Sequence, residues 1–265
     1  AGHLSNTPHQ ILVYGALGEG PPTFAHAPTV LGPEGGKLSK RSGARPLREL
    51  REEGLHPDAV VNYLSLLGWS SPTGDEVLAR DRLVDEVTLD RLNAGDVVYD
   101  PTKLRWLSAR HIDRMPLEEL AAATRPYVEG SRVEPLLGDG YLQALDAVRS
   151  RLSAFAEVTA HLPPFLGPDP DQPPQPPTSD EADVLSVVRN ALADLEAWDP
   201  ESIQTALRSA GKAAGVGGRI LYVPVRQALT GAEHGPPLGA VIAVQGRARA
   251  LELLDRGLDR AENRV

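Results

Sequence analysis

From Gly32 to Gly43 the chain reads Gly-Pro-Glu-Gly-Gly-Lys-Leu-Ser-Lys-Arg-Ser-Gly, and no other stretch is better equipped for chemistry. Lys37 and Lys40 stand three apart with Ser39 between them and glycines on both sides, which makes a mobile positive clamp. Glycine lets a backbone approach a polyphosphate closely and lets the loop move. The ammonium groups can neutralise charge developing on a leaving pyrophosphate, where electrostatic help is largest in the transition state. Ser39, Arg41 and the loop amides can add hydrogen bonds to phosphate oxygens. Taken alone, the pattern fits an exposed basic loop equally well.

The surrounding charge gives that loop a context. The net charge of −9 argues against indiscriminate binding to nucleic acid by phosphate neutralisation. Distribution matters more than the total, because positive charge gathered on one surface still attracts a polyanion. Lys37 to Arg51 holds six Lys or Arg against the single acid Glu49, and Ser202 to Ala232 holds Arg208, Lys212, Arg219 and Arg226 with no acid. Each run also reads as a solvated helix face. The seven histidines are scattered, and cysteine is absent, so the sequence offers no zinc site and no disulfide framework. Glu52-Glu53 and Glu118-Glu119 read as solvated carboxylates on helix faces.

The elements that must carry these residues are mostly helices. Thr7-Pro8-His9-Gln10 reads as a helix start with Thr7 as cap, and the helix carries Ile11, Leu12, Tyr14 and Leu17 before stopping at Gly18. Residues 19–36 read as loop around one short strand, Pro28 to Leu31. Helices are predicted at 46–53, 57–67, 87–93, 103–109, 117–125 and 139–160. In the second, Val60, Val61, Leu64 and Leu67 recur at helical spacing. Residues 163–177, PPFLGPDPDQPPQPP, read as an extended proline-rich spacer. Beyond it, Thr178 and Glu181 form a capping-box pattern ahead of Val184, Val188, Ala191, Leu192 and Leu195. Asp199-Pro200 opens a further helix with Ile203, Ala206, Leu207 and Ala210 on one face. Trp106 and Trp198, at helical spacing with other apolar residues, read as core. No apolar run approaches the roughly 20 residues that span a bilayer. The opening residues lack a secretion signal and an initiator Met, which points to a cytoplasmic protein and a trimmed or incomplete chain.

Several segments resemble one family. KLSKR resembles the KMSKS signature of class I aminoacyl-tRNA synthetases, in the form used by glutamate–tRNA ligases. HLSNTPHQILVYGALG (3–18) and FAHAPTVLGPEGGKLSKRSGA (24–44) are similar to that family's approach to the loop. LHPDAVVNYLSLLGW (55–69) and YDPTKLRWLSARHI (99–112) resemble its stem-contact region. VPVRQALTGAEHGPPLGAVIAVQGRARALELL (223–254) resembles its C-terminal anticodon-binding cage. The matches run from end to end and in order.

The resemblance implies a mainly α fold: a C-terminal remnant of a class I Rossmann-like catalytic domain, an α-helical stem-contact domain and an all-helical anticodon-binding cage. The implied boundaries are 1–45 for the end of the catalytic domain with its loop, and 46–116 for the stem-contact domain. A first helical anticodon-binding subdomain with the proline-rich linker takes 117–177, and a second takes 178–265. The implied reaction activates glutamate with ATP, releases pyrophosphate and passes the glutamyl group to the 3′ end of tRNA(Glu). Lys40 would meet the ATP phosphates, supported by Lys37, Ser39 and Arg41. His3 and Val30 would line the adenosine pocket, Val30 through its backbone. Arg226, Gly235, Pro236 and Leu238 would receive anticodon bases; Arg226 also reads as a helix-surface Arg. Mg2+ would arrive only with ATP, no structural metal is implied, and the parent enzyme would be a monomer without a membrane partner.

The chain departs from the family in having no HIGH signature and no upstream glutamate pocket. Position 36 is Gly where many relatives carry Lys, position 42 is Ser where many carry His, and Ala1-Gly2 replaces a common acidic pair. With half the site missing, effective molarity collapses, so the chain is expected to be inactive alone, as part of an enzyme whose N-terminal half lies elsewhere. A non-catalytic tRNA-binding paralogue is the alternative. A glutamine–tRNA ligase fragment fits less well, since bacterial forms carry β-barrel anticodon domains, and a helical scaffold leaves the ordered matches unexplained.

Overall fold

The computed structural model describes residues 3–36, 38, 45–93 and 95–262. It is mainly α, as the sequence predicts, and divides into compact units at 1–114 and 115–265.

The first unit opens with α1 (Thr7–Ala16), which ends before Gly18 at φ +74°. Asn6, not Thr7, occupies the cap position, because the Thr7 hydroxyl is spent on the His3 carbonyl (3.2 Å). No residue of α1 is buried, and Leu12 is 72% exposed. The short strand survives as β1 (Val30–Leu31), paired in parallel with β2 (Val97–Val98) in the register Val30 to Val97. The expectation that β1 had lost its partners is thus corrected. β2, at two residues, is too short to show alternation in sequence. Asp96 helps to align the pair, its carboxylate accepting from the Thr29 N–H (3.2 Å).

Four helices complete this unit: α2 (Leu47–Glu52), α3 (Pro57–Gly68), α4 (Arg80–Glu86) and α5 (Pro101–Arg114). α4 stands ahead of the helix expected at 87–93, where only a 3-10 turn forms at Leu89–Arg91. α3 buries Ala59, Asn62 and Tyr63, whereas Val61 and Leu64 of the expected apolar face are exposed, Leu64 by 51%. Hydrogen bonds decide that rotation. Asn62 Oδ1 accepts from Leu78 N (2.9 Å) and meets His111 Nε2 (3.1 Å), while Tyr63 Oη accepts from Asp100 N (2.6 Å). A buried amide so satisfied can displace a leucine from the inner face. α5 buries Leu104, Leu107, Ser108 and Ile112. Trp106, expected in the core, lies outside it at 42% exposed. Glu53 is no solvated carboxylate either: it pairs with Arg45 and with Arg105 (3.7 Å), and Glu52 lies 3.5 Å from Arg48.

The second unit begins with α6 (Leu117–Val128), α7 (Tyr141–Val148) and α8 (Val158–His161). The single helix expected over 139–160 is broken by 3-10 turns at Arg149–Arg151 and Phe155–Glu157. The Glu157 carboxylate causes the break locally by accepting from Ser153 N (2.7 Å) and Ala154 N (3.2 Å), which offers the backbone an alternative to helix. The spacer is shorter than expected, since Pro163–Phe165 forms a further 3-10 turn and buries Phe165. The remaining helices are α9 (Ser179–Ala193), α10 (Pro200–Ala213), α11 (Gly218–Thr230), α12 (Leu238–Gln245) and α13 (Arg247–Glu262). The capping box forms as expected, with Thr178 Oγ1 accepting from Glu181 N (3.4 Å) and Glu181 Oε2 accepting from Thr178 N (2.8 Å). α12 ties the unit together: Val241 packs with Val128, Leu145 and Phe165, while Ile242 packs with Leu185, Ile203 and Leu254.

Candidate nucleic-acid interface

At the front of the chain, Lys37, Ser39, Lys40 and Arg41 lie outside the described residues. What anchors their loop is described. Gly32 N donates to Gly36 O (2.7 Å) and Gly35 N to Gly32 O (3.0 Å), closing a tight turn that needs the positive φ of Gly35, +82°. The chain then returns beside β1, with Leu38 N donating to Val30 O (3.0 Å). Val30, expected to serve the nucleotide through its backbone, therefore commits its carbonyl to the centre of the KLSKR segment. His3 is exposed; its carbonyl accepts from Thr7 Oγ1, and its Nδ1 lies 3.2 Å from Asn6 Nδ2.

The second unit carries a cleft of about 430 Å³ beside the N-terminal half of α11. Arg226 and Tyr222 stand one turn apart on α11 and face it together, and Arg219 joins them from the first turn. The opposite wall is the loop between α11 and α12, which Gly231 opens in the left-handed conformation at φ +78°. Arg226 Nη1 donates to Pro236 O (2.7 Å), and Arg151, from the turn after α7, donates through Nη2 to Gly235 O (2.7 Å). Two guanidinium groups thus grip consecutive carbonyls of one loop. Gly235 permits the approach, since a Cβ there would stand 3.2 Å from Arg226 Nη1. Burial, and then the nearby charge of Arg151, holds the Arg226 pKa below the ordinary arginine value. Glu233 at the loop tip lies 3.6 Å from Arg219, and Tyr222 Oη accepts from Gln204 Nε2 (3.0 Å).

Of the residues singled out in sequence, Arg226 and Gly235 line this cleft. Pro236 is buried and contributes its carbonyl. Leu238 begins α12 with its side chain in the core, 2% exposed, so it shapes the wall from behind and cannot touch a base through its side chain. Arg151, Tyr222 and His234 were missed. Tyr222 was available from its spacing to Arg226, but Arg151 lies far away in sequence and no local signal marks it. Among the described residues no group of three or more His, Asp or Glu could hold a metal ion, and no helix is long and apolar enough to cross a membrane.

Comparisons with known proteins agree with this geometry. Residues 119–258 match the family described as anticodon binding domain, and residues 1–106 match the catalytic domain of class I tRNA synthetases of the E and Q type. The chain is 36% identical to the glutamate–tRNA ligase of Natranaerobius thermophilus, across 98% of the chain and 56% of that protein. It is 37% identical to glutamate–tRNA ligase 1 of Rubrobacter xylanophilus, across 96% of the chain and 59% of that protein. The chain therefore spans little more than half the length of these curated relatives. Its fold is similar to the crystal structure of a glutamate tRNA ligase from Elizabethkingia meningosepticum in complex with its amino acid. There the TM-score is 0.82 at 22% identity, over 97% of this chain and 55% of that one.

Proposed function

We infer a tRNA-directed function, because this chain belongs to the anticodon binding domain family and is homologous to glutamate–tRNA ligases along nearly all its length. In this reading it supplies the lysine loop, the stem-contact region and the anticodon-reading cage of an enzyme that charges tRNA(Glu). Residues 1–45 end the catalytic domain, 46–116 contact the tRNA stem, and 117–177 and 178–265 form the two parts of the cage. Glutamate attacks the α-phosphate of ATP, which arrives with Mg2+ held by its phosphates as part of the substrate. Lys40 and Lys37, with Ser39 and Arg41, take the charge of the departing pyrophosphate. His3 and Val30 border the adenosine.

The observation that carries this reading is the cleft beside α11. Arg226 and Arg151 each spend one N–H on a loop carbonyl. A guanidinium has five N–H donors, so both retain donors for base edges, held in place by the loop they grip. Single-stranded RNA is read by such donors together with aromatic faces on which splayed bases stack, and Tyr222 offers that face. The loop with Gly235 and Pro236 sets the width of the slot, and Leu238 fixes its base. A tRNA(Glu) transcript titrated into the chain at several salt concentrations tests this. Arg226→Ala and Arg151→Ala are each expected to weaken binding by about 1–3 kcal/mol and to blunt discrimination against altered anticodons. Unchanged affinity in both variants, or an anticodon change that goes unnoticed by the unmodified chain, rejects the assignment. The alternative of a non-catalytic tRNA-binding paralogue shares this cleft and differs at the lysine loop, where only the catalytic reading requires Lys40.

A further inference from the structure

Trp106 sits on the solvent side of α5, opposite the face that buries Leu104, Leu107, Ser108 and Ile112. The other two tryptophans are handled differently. Trp69 is 1% exposed, and Trp198 packs against the core beneath the Arg247 guanidinium, 4.9 Å from the ring centre. Leaving a large aromatic surface in water on an otherwise polar helix face forgoes hydrophobic stabilisation that burial would give.

What surrounds the indole keeps it bare. One helical turn away lie Thr102 and Lys103 on one side, Ala109 and Arg110 on the other. Thr102 and Ala109 are too small to cover it. Lys103 is drawn to Glu76, and Arg105 to Glu53. Arg110 has no ion pair among the described residues. α5 carries Lys103, Arg105, Arg110 and Arg114 against the single acid Asp113, in a chain of net charge −9. A bare indole and an unpaired guanidinium one turn apart on a basic helix suit an anionic partner with a flat, apolar face.

We propose that Trp106 and Arg110 form a nucleotide-stacking contact for tRNA, separate from the anticodon cleft. The indole takes the face of a base and Arg110 takes an adjacent phosphate. The proposal rests on the tRNA-directed reading above and sharpens it. Bases inside a duplex have both faces stacked, so the nucleotide that Trp106 receives is unpaired, in a loop or at a junction, and not in a stem.

The test uses the chain as it is and a tRNA(Glu) transcript. Trp106→Ala is expected to weaken binding roughly tenfold or more with the salt slope unchanged, because stacking releases no counterions. Trp106→Phe keeps most of the affinity. Arg110→Ala lowers the slope of log affinity against log salt by about one. Indole fluorescence is expected to be quenched on adding tRNA, and the quench disappears in Trp106→Phe. A fully paired RNA duplex is expected not to produce it. Because Trp106 is exposed, circular dichroism melts should match the unmodified chain. If Trp106→Ala and Arg110→Ala bind normally while Arg226→Ala is weakened, this inference falls and the tRNA reading stands. If the unmodified chain does not bind tRNA even at low salt, the reading falls and takes the inference with it. Self-association that depends on Trp106, seen by sedimentation, assigns the surface to a second copy and overturns the proposal.

Discussion

Single residues hold this molecule together where backbone or rings meet closely. Gly239, in the first turn of α12, faces Pro200 so tightly that a Cβ would stand 2.5 Å from the Pro200 carbonyl oxygen. Backbone cannot yield as a side chain can, so Gly239→Ala should destabilise the second unit by about 1–3 kcal/mol, read from denaturant midpoints. In the first unit, His56 and His111 lie with ring centres 5.3 Å apart. His56 Nδ1 accepts from Asp58 N (3.1 Å), so that nitrogen carries no proton. Burial lowers both pKa values; the charge of His111 and of Arg80 adds to the effect at His56, and that of Arg114 at His111, while Asp58 opposes it at both. Both rings are held neutral in the fold, and the unfolded chain binds protons first, near pH 6.5. Their stabilising effect is therefore present above that pH and is lost as pH falls below it toward the folded-state values. Thermal melts between pH 7.5 and 5 should show this loss, and His111→Gln should flatten it. A pH-independent melting temperature over that range rejects the argument.

Elements owe their ends to side chains that satisfy backbone groups the helix leaves open. α9 is closed at its start by the reciprocal Thr178 and Glu181 bonds. Beyond its other end Arg247 donates to the Ala193 (3.1 Å), Leu195 and Glu196 (3.4 Å) carbonyls while covering Trp198. Thr178→Ala should cost about 0.5–2 kcal/mol, and Thr178→Ser should restore most of it; equal melting of all three proteins would remove the cap from the account. These ends were legible in sequence because caps act over three or four residues. The interiors were less so. The buried face of α3 turned toward Asn62 and Tyr63 because their partners, Leu78, His111 and Asp100, arrive from other elements. The helix expected over 139–160 broke where Glu157 found nearer backbone donors.

At the scale of the whole molecule, the sequence contains the lysine loop and lacks the HIGH segment and the glutamate pocket that the family's chemistry requires. Purified chain should therefore give no ATP–pyrophosphate exchange above background, whatever its affinity for tRNA; robust exchange would show that the lysine loop finds the rest of a site within these residues. The order of motifs, the helical class, the caps and the identity of Lys40 and Arg226 as candidates were all present in the sequence, because each depends on residue type and short spacing. Tertiary structure alone decided three things. It brought Arg151 to the loop that Arg226 holds, it sent Leu238 into the core, and it left Trp106 in water. Each turns on which surfaces meet across long chain separations, and a local pattern of apolar and polar residues constrains a helix's faces without naming the neighbour each will meet.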